Sequence, residues 1–120
     1  MNVTVFGASG KVGQKVVQRL LRDGHNVTAF VFGQSPFDYH IKLRVVKGDV
    51  RSVADINKAL VGSEAVISTL GSWGTKSKDI LTTGMGNIIP IMEENGMSRI
   101  ISLTGHEARD IGDKPGIINI

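Results

Sequence analysis

Gly7, Gly10 and Gly13 recur at three-residue intervals within "VTVFGASGKVGQKVVQRLL", residues 3–21. A G-x-x-G-x-x-G turn joining a strand to a helix lets a pyrophosphate approach backbone N–H groups at the helix's positive end, because no side chain stands between them. A P-loop would also cradle phosphate. Its G-x-x-x-x-G-K-[ST] pattern needs glycine at Val5 and a hydroxyl residue at Val12, and both positions fail. The competing explanation is that glycines in a tight strand-helix turn merely relieve crowding. Placement in the first βα unit of the chain favours the dinucleotide site.

The elements that must hold this turn follow from hydrophobic spacing. Asn2 to Phe6 is a short apolar run, and Val12, Val16, Val17, Leu20 and Leu21 then fall on one helical face. Gly24 suits a left-handed helix cap, after which Val27 to Phe32 is a second buried strand. Leu43 to Val46 is a third. Ser52-Val53-Ala54-Asp55 opens a helix carrying Val53, Ile56, Ala59 and Leu60, closed by Gly62. Ala65 to Leu70 and Arg99 to Leu103 supply strands four and five. Residues 78 to 95 place Ile80, Leu81, Ile88, Ile89 and Met92 at helical spacing. Gly84, Gly86 and Pro90 sit inside that segment, and an interior proline costs about 3 kcal/mol or more, so a kink or break is expected there.

Continuous apolar strands alternating with helices predict an α/β fold: a doubly wound, Rossmann-like parallel sheet of order 3-2-1-4-5 in three αβα layers. Ligands of such sheets lie beyond the carboxyl ends of the strands, where the order reverses between strands 1 and 4. That points to Gly7 to Gly13, the loops after Phe32 and Val46, the Gly71 loop and the segment after Leu103.

With 120 residues and 41% apolar content the chain suffices for one compact domain, residues 1–120. Its 14 Lys and Arg against 11 Asp and Glu are dispersed, unlike a nucleic-acid footprint. The absence of cysteine removes disulfides, thiolate metal sites and thiol nucleophiles. Met1 leads straight into an apolar strand and no stretch approaches roughly 18 apolar residues, so a cytoplasmic protein without membrane contact is expected.

The segments "VFGASGKVG", "GHNVTAFV", "KGDVRSVADINKALVGSEAVISTLG" and "GNIIPIMEENGMSRIISLT" together resemble the atypical short-chain dehydrogenase/reductase family, which includes NmrA-like proteins and biliverdin-IXβ and flavin reductases. The resemblance spans nearly the whole chain. It implies that Gly7, Ala8, Ser9, Gly10, Lys11, Val12 and Gly13 hold the pyrophosphate of NADP or NAD. Asp49 and Val50 would flank its adenine, and Leu70, Gly71 and Ser72 the nicotinamide side, with Thr104 a further contact; Phe32 and Gly33, after strand two, are further cofactor-binding candidates. Read from the residues alone, Asp49 could equally be a turn aspartate bonding its own backbone, and Thr104 a strand-end cap.

Some positions depart from the family pattern. An acid about 20 residues past the glycines would select NAD and a basic residue NADP; the family's usual arginine is Phe32 here, leaving Lys11, Gln34 and Ser35 to meet a 2′-phosphate. The Tyr-x-x-x-Lys pair of ordinary short-chain dehydrogenases is missing, since Tyr39 is the single tyrosine and is followed by His40-Ile41-Lys42. His106, Glu107, Arg109 and Asp110 form a polar loop after strand five, while Trp73 continues the fourth-strand loop. The chain also ends before the further elements that wall the substrate site in this family, and a fifth strand at the sheet edge beside Ile117-Ile118-Asn119-Ile120 suggests a homodimer. Two functions remain open: an NAD(P)H-dependent reductase passing hydride to a small-molecule acceptor, flavin or quinone, and a non-catalytic NAD(P)-binding redox sensor.

Overall fold

The computed structural model describes residues 1–70, 78–102 and 117–119, the side chains of 78–82 and 117–119 excepted. Strand β1 (Asn2–Phe6) alternates between two apolar layers. Val3 and Val5 pack on one face with Val12, Val16 and Val17 of helix α1 (Lys11–Arg22). Phe6 turns to the other face, toward Ile56 and Leu60 of α2 (Val53–Leu60) and Ile88, Ile91 and Met92 of α3 (Lys78–Glu94). Thr4, also fully buried, donates its hydroxyl to the Ala59 carbonyl of α2 at 2.9 Å. A sheet sandwiched in this way buries both faces, which is why its strands read as unbroken apolar runs.

β2 (Asn26–Val31), β3 (Leu43–Lys47), β4 (Ala65–Ser68) and β5 (Arg99–Ser102) complete five parallel strands in the order β3-β2-β1-β4-β5, the expected topology. The rings of Phe6 and Phe30, on neighbouring strands, stack tilted with centroids 5.0 Å apart.

Local chemistry sets the element ends. α1 ends where Gly24 (φ +90°) lets the His25 and Gly24 N–H groups bond back to Leu20 and Leu21 carbonyls. Arg19 and Arg22 meet the negative end of its dipole. α2 begins where the Ser52 hydroxyl accepts the Asp55 N–H at 3.3 Å.

One expectation is corrected and one strand is added. α3 runs from Lys78 to Glu94 without a break, Pro90 included. Pro90 and Gly86, whose carbonyl loses its helical partner, are both exposed, so water can serve that carbonyl, while Ile88, Ile91 and Met92 anchor the same turns in the core. Fully burying each such side chain is worth about 1.5–3 kcal/mol, enough to offset one interior proline. Secondly, the sheet has a sixth strand. β6 (Ile117–Asn119) lies antiparallel on β5, pairing Ile101 with Ile117 and Arg99 with Asn119, and forms the edge of the sheet.

Candidate functional site

Beyond the carboxyl ends of β1, β2, β3 and β4 the backbone continues to pair: Ala8 N–H bonds to Phe30 O, Gly48 N–H to Val31 O and Thr69 N–H to Phe6 O. These bonds gather four loops around the glycine turn. The three glycines do different work. At Gly7 φ is +76° and an added Cβ would lie 2.7 Å from Thr69 Oγ1. The Thr69 hydroxyl, 2% exposed, lies 2.9 Å from both the Phe6 and Gly7 carbonyls and can donate to either, tying β4 to the turn. At Gly13 a Cβ would stand 2.1 Å from Gly7 O and 2.7 Å from Ala8 Cα. Glycine is therefore required by the fold at both positions.

Gly10 is different. It has ordinary extended backbone (φ −76°, ψ 172°), and the nearest atom to an added Cβ is Gly7 O, at an unstrained 3.6 Å. It caps α1 without a side-chain acceptor, and the first turn of the helix contains no acid. Crowding within the protein thus explains Gly7 and Gly13 but not Gly10. What glycine provides there is an uncovered helix N-terminus open to an anion. Gln14 steadies the turn by donating its Nε2 to Ser9 O at 2.8 Å.

The turn forms one wall of a cavity of about 340 Å³. Of the residues expected at the site, Gly7, Ser9, Gly10, Phe32, Asp49, Val50 and Leu70 line it together. Ala8 and Val12 send buried side chains into the α1 layer, and Gly13 packs beneath the turn, so these three position the cradle. Lys11 and Gly33 (φ +87°) are exposed beside the cavity rather than lining it. Gly71, Ser72, Trp73, Thr104 and the polar loop from His106 to Asp110 lie outside the described residues.

Both readings of Asp49 hold at once. Its Oδ1 accepts the Arg51 N–H at 2.9 Å, the turn bond, while the residue still faces the cavity. Arg51 NH1 lies 3.8 Å from Asp49 Oδ2. The Asp49 N–H is held by Asp55 Oδ2 at 3.1 Å, and a Cβ at Gly48 would strike that carboxylate at 2.9 Å, which makes the G-D pair a geometric unit.

Four lining residues escaped the sequence reading: Phe30, Gly48, Arg51 and Thr69. Thr69 carried a signal, a hydroxyl at a strand end next to the switch point. Arg51 had been counted only among dispersed surface charges.

α3 braces the cavity floor. A Cβ at Gly84 would fall 2.6 Å from Leu70 Cδ1, so glycine there admits the leucine, and Asn87 Nδ2 donates to Val50 O at 2.8 Å. A broader cleft of about 630 Å³ flanks α1 between Lys15, Arg22 and Phe37, away from every strand end, and its Arg19 is already paired with Asp23 at 3.2 Å. Among the described residues, no cluster of His, Asp and Glu could hold a metal ion and no helix is long and apolar enough to cross a membrane.

Known proteins share this sequence and this fold. Residues 7–119 match the family described as NAD(P)H-binding. A protein of Mycobacterium tuberculosis described as uncharacterized is 28% identical over 110 residues, 91% of this chain and 13% of its own length. The 3-beta-hydroxysteroid dehydrogenase of Mycolicibacterium neoaurum is 30% identical over 111 residues, 82% of this chain and 30% of that enzyme. A short-chain dehydrogenase/reductase of Veillonella parvula in complex with NADP superposes with a TM-score of 0.70 at 18% identity, over 85% of this chain and 46% of that one. The chain therefore spans less than half the length of each of these proteins.

Proposed function

The chain belongs to the NAD(P)H-binding family, and from that premise we propose that it is the dinucleotide-holding part of an oxidoreductase that passes hydride to a flavin or quinone. The observation that carries this reading is the space over Gly10: the one glycine of the turn that the fold does not need lines the cavity at the open N-terminus of α1. The α1 N-terminus and Ser9 would meet the pyrophosphate, and Gly7, locked by Thr69, would set the angle at which it arrives. Phe32, Asp49 and Val50 would receive the adenosine half, and Leu70 would lead the chain toward the nicotinamide half. Once bound, the nicotinamide supplies the hydride chemistry itself, and the protein's part is to bind and orient.

A flavin or quinone is the acceptor that asks least of the described residues. Reduction of a carbonyl to an alcohol calls for a positioned proton donor. Tyr39, the single tyrosine, stands 90% exposed in the loop between β2 and β3, where its hydroxyl faces solvent. The same observation favours a second reading, an NAD(P)-binding sensor without turnover.

Calorimetric titration with NADPH and NADH, followed by assays of flavin- and quinone-dependent NADPH oxidation, separates them. Saturable micromolar binding, about −8 kcal/mol, with turnover supports the reductase. Binding without turnover supports the sensor. Absence of binding to either cofactor refutes both.

A further inference from the structure

Phe32 immediately follows β2 and leaves 74% of its surface in water, yet it lines the cavity together with Asp49, Val50 and Arg51. Folding does not account for it, because its burial in this chain is slight and the neighbouring Phe30 already fills the core at 2% exposure. An exposed aromatic ring on the wall of a ligand cavity is suited to receive another flat ring. Buried Val50, 6% exposed, lines the same cavity and adds an apolar surface to it.

Charge at this end of the cavity is balanced. Asp49 is the acid and Arg51 the base among the described lining residues, and they face each other at 3.8 Å while the Arg51 N–H holds the second carboxylate oxygen. Among the described lining residues no unpaired carboxylate stands there to repel a 2′-phosphate, and their one guanidinium is already turned toward an acid.

We infer that Phe32 is a stacking platform for the purine, so that the adenine ring anchors the cofactor and NADPH and NADH are accepted with similar affinity. This rests on the dinucleotide reading above and adds to it how the two cofactors are, and are not, told apart. Stacking is indifferent to the ribose 2′ substituent, whereas a guanidinium fork at the same position would reward a phosphate.

The test is calorimetric titration of the wild-type chain and of Phe32→Ala, Phe32→Trp and Phe32→Arg with NADPH and NADH. Because the ring is exposed, these variants keep the wild-type melting temperature. The wild type is expected to bind the two cofactors within about threefold of each other. Phe32→Ala weakens both by about tenfold and equally, the size of one lost base–aromatic stack; Phe32→Trp retains both; Phe32→Arg raises NADPH affinity over NADH. Wild-type binding that is unaffected by Phe32→Ala, or a loss confined to NADPH, overturns the platform while leaving the dinucleotide site standing. A wild type that binds neither cofactor overturns the site itself, and the platform with it.

Discussion

Replacing Gly10 with alanine separates what the turn needs in order to fold from what it needs in order to bind. The new methyl meets nothing closer than Gly7 O at 3.6 Å, and alanine adopts φ −76°, ψ 172° without strain. Alanine is a poorer N-cap than glycine by roughly 0.5–1 kcal/mol. The loss of a glycine from the unfolded chain returns about 0.4–1 kcal/mol. The two nearly cancel, so Gly10→Ala should unfold within about 1 kcal/mol of the wild type. Its methyl nonetheless occupies the approach to the α1 N-terminus. Displacing a pyrophosphate from one charge-assisted N–H bond, at about 1.5–3 kcal/mol, weakens NADPH and NADH by about 10- to 100-fold. Gly13→Ala is the contrasting control. Its Cβ would lie 2.1 Å from Gly7 O, a main-chain atom that cannot move alone. Overpacking of that severity costs about 3 kcal/mol, a fall of about 10 °C or more in Tm. Thermal unfolding by circular dichroism and calorimetric binding measure both quantities. If Gly10→Ala binds either cofactor within about twofold of the wild type, or is destabilised as severely as Gly13→Ala, the assignment of Gly10 to the ligand is refuted.

Thr69→Val keeps the side-chain shape but deletes the hydroxyl shared by Phe6 O and Gly7 O. Each carbonyl keeps a backbone partner, Thr69 N–H and Gly10 N–H respectively, so the expected cost is only about 1 kcal/mol in urea unfolding. Cofactor affinity should fall by less than in Gly10→Ala; a larger fall would mean that Thr69 meets the ligand directly. Pro90→Ala restores an N–H donor to the Gly86 carbonyl on the exposed side of α3 and should raise stability by about 1–3 kcal/mol in the same assay. An unchanged or lowered stability would show that the backbone there is already relaxed around the proline.

How much of this was legible in the sequence depended on the range of the physics involved. β1, the α1 start at Lys11, the Gly24 cap and the Ser52 cap are decided by neighbours within a few residues, and the structure has them where pattern and capping chemistry put them. The strand order followed from alternation of apolar strands and helices. Pro90 misled because a helix-interior penalty is local, whereas the burial of Ile88, Ile91 and Met92 that outweighs it is set by the sheet beneath. β6 was missed as a strand because three residues carry no period, and its partner Ile101 lies sixteen positions before Ile117.

The glycine turn shows the same limit at the level of function. In sequence Gly7, Gly10 and Gly13 are three equivalent members of one motif, and a motif of that kind cannot distinguish a tight turn from a binding site. The distinction comes from atoms far along the chain or across the turn: Thr69 Oγ1 excludes a side chain at Gly7, Gly7 O excludes one at Gly13, and among the described residues no atom excludes one at Gly10. At Gly10 alanine would fit, and the roughly 0.5–1 kcal/mol by which glycine is the better N-cap is offset by the freedom it adds to the unfolded chain, so folding is nearly indifferent there and glycine's use lies in leaving the helix N-terminus open to a ligand. Phe32 follows the same logic with the opposite chemistry, a large apolar ring left in water where a smaller side chain would fold equally well. Both residues face one cavity, and each is accounted for by a ligand that carries an anion at one end of its adenosine half and a flat aromatic base at the other.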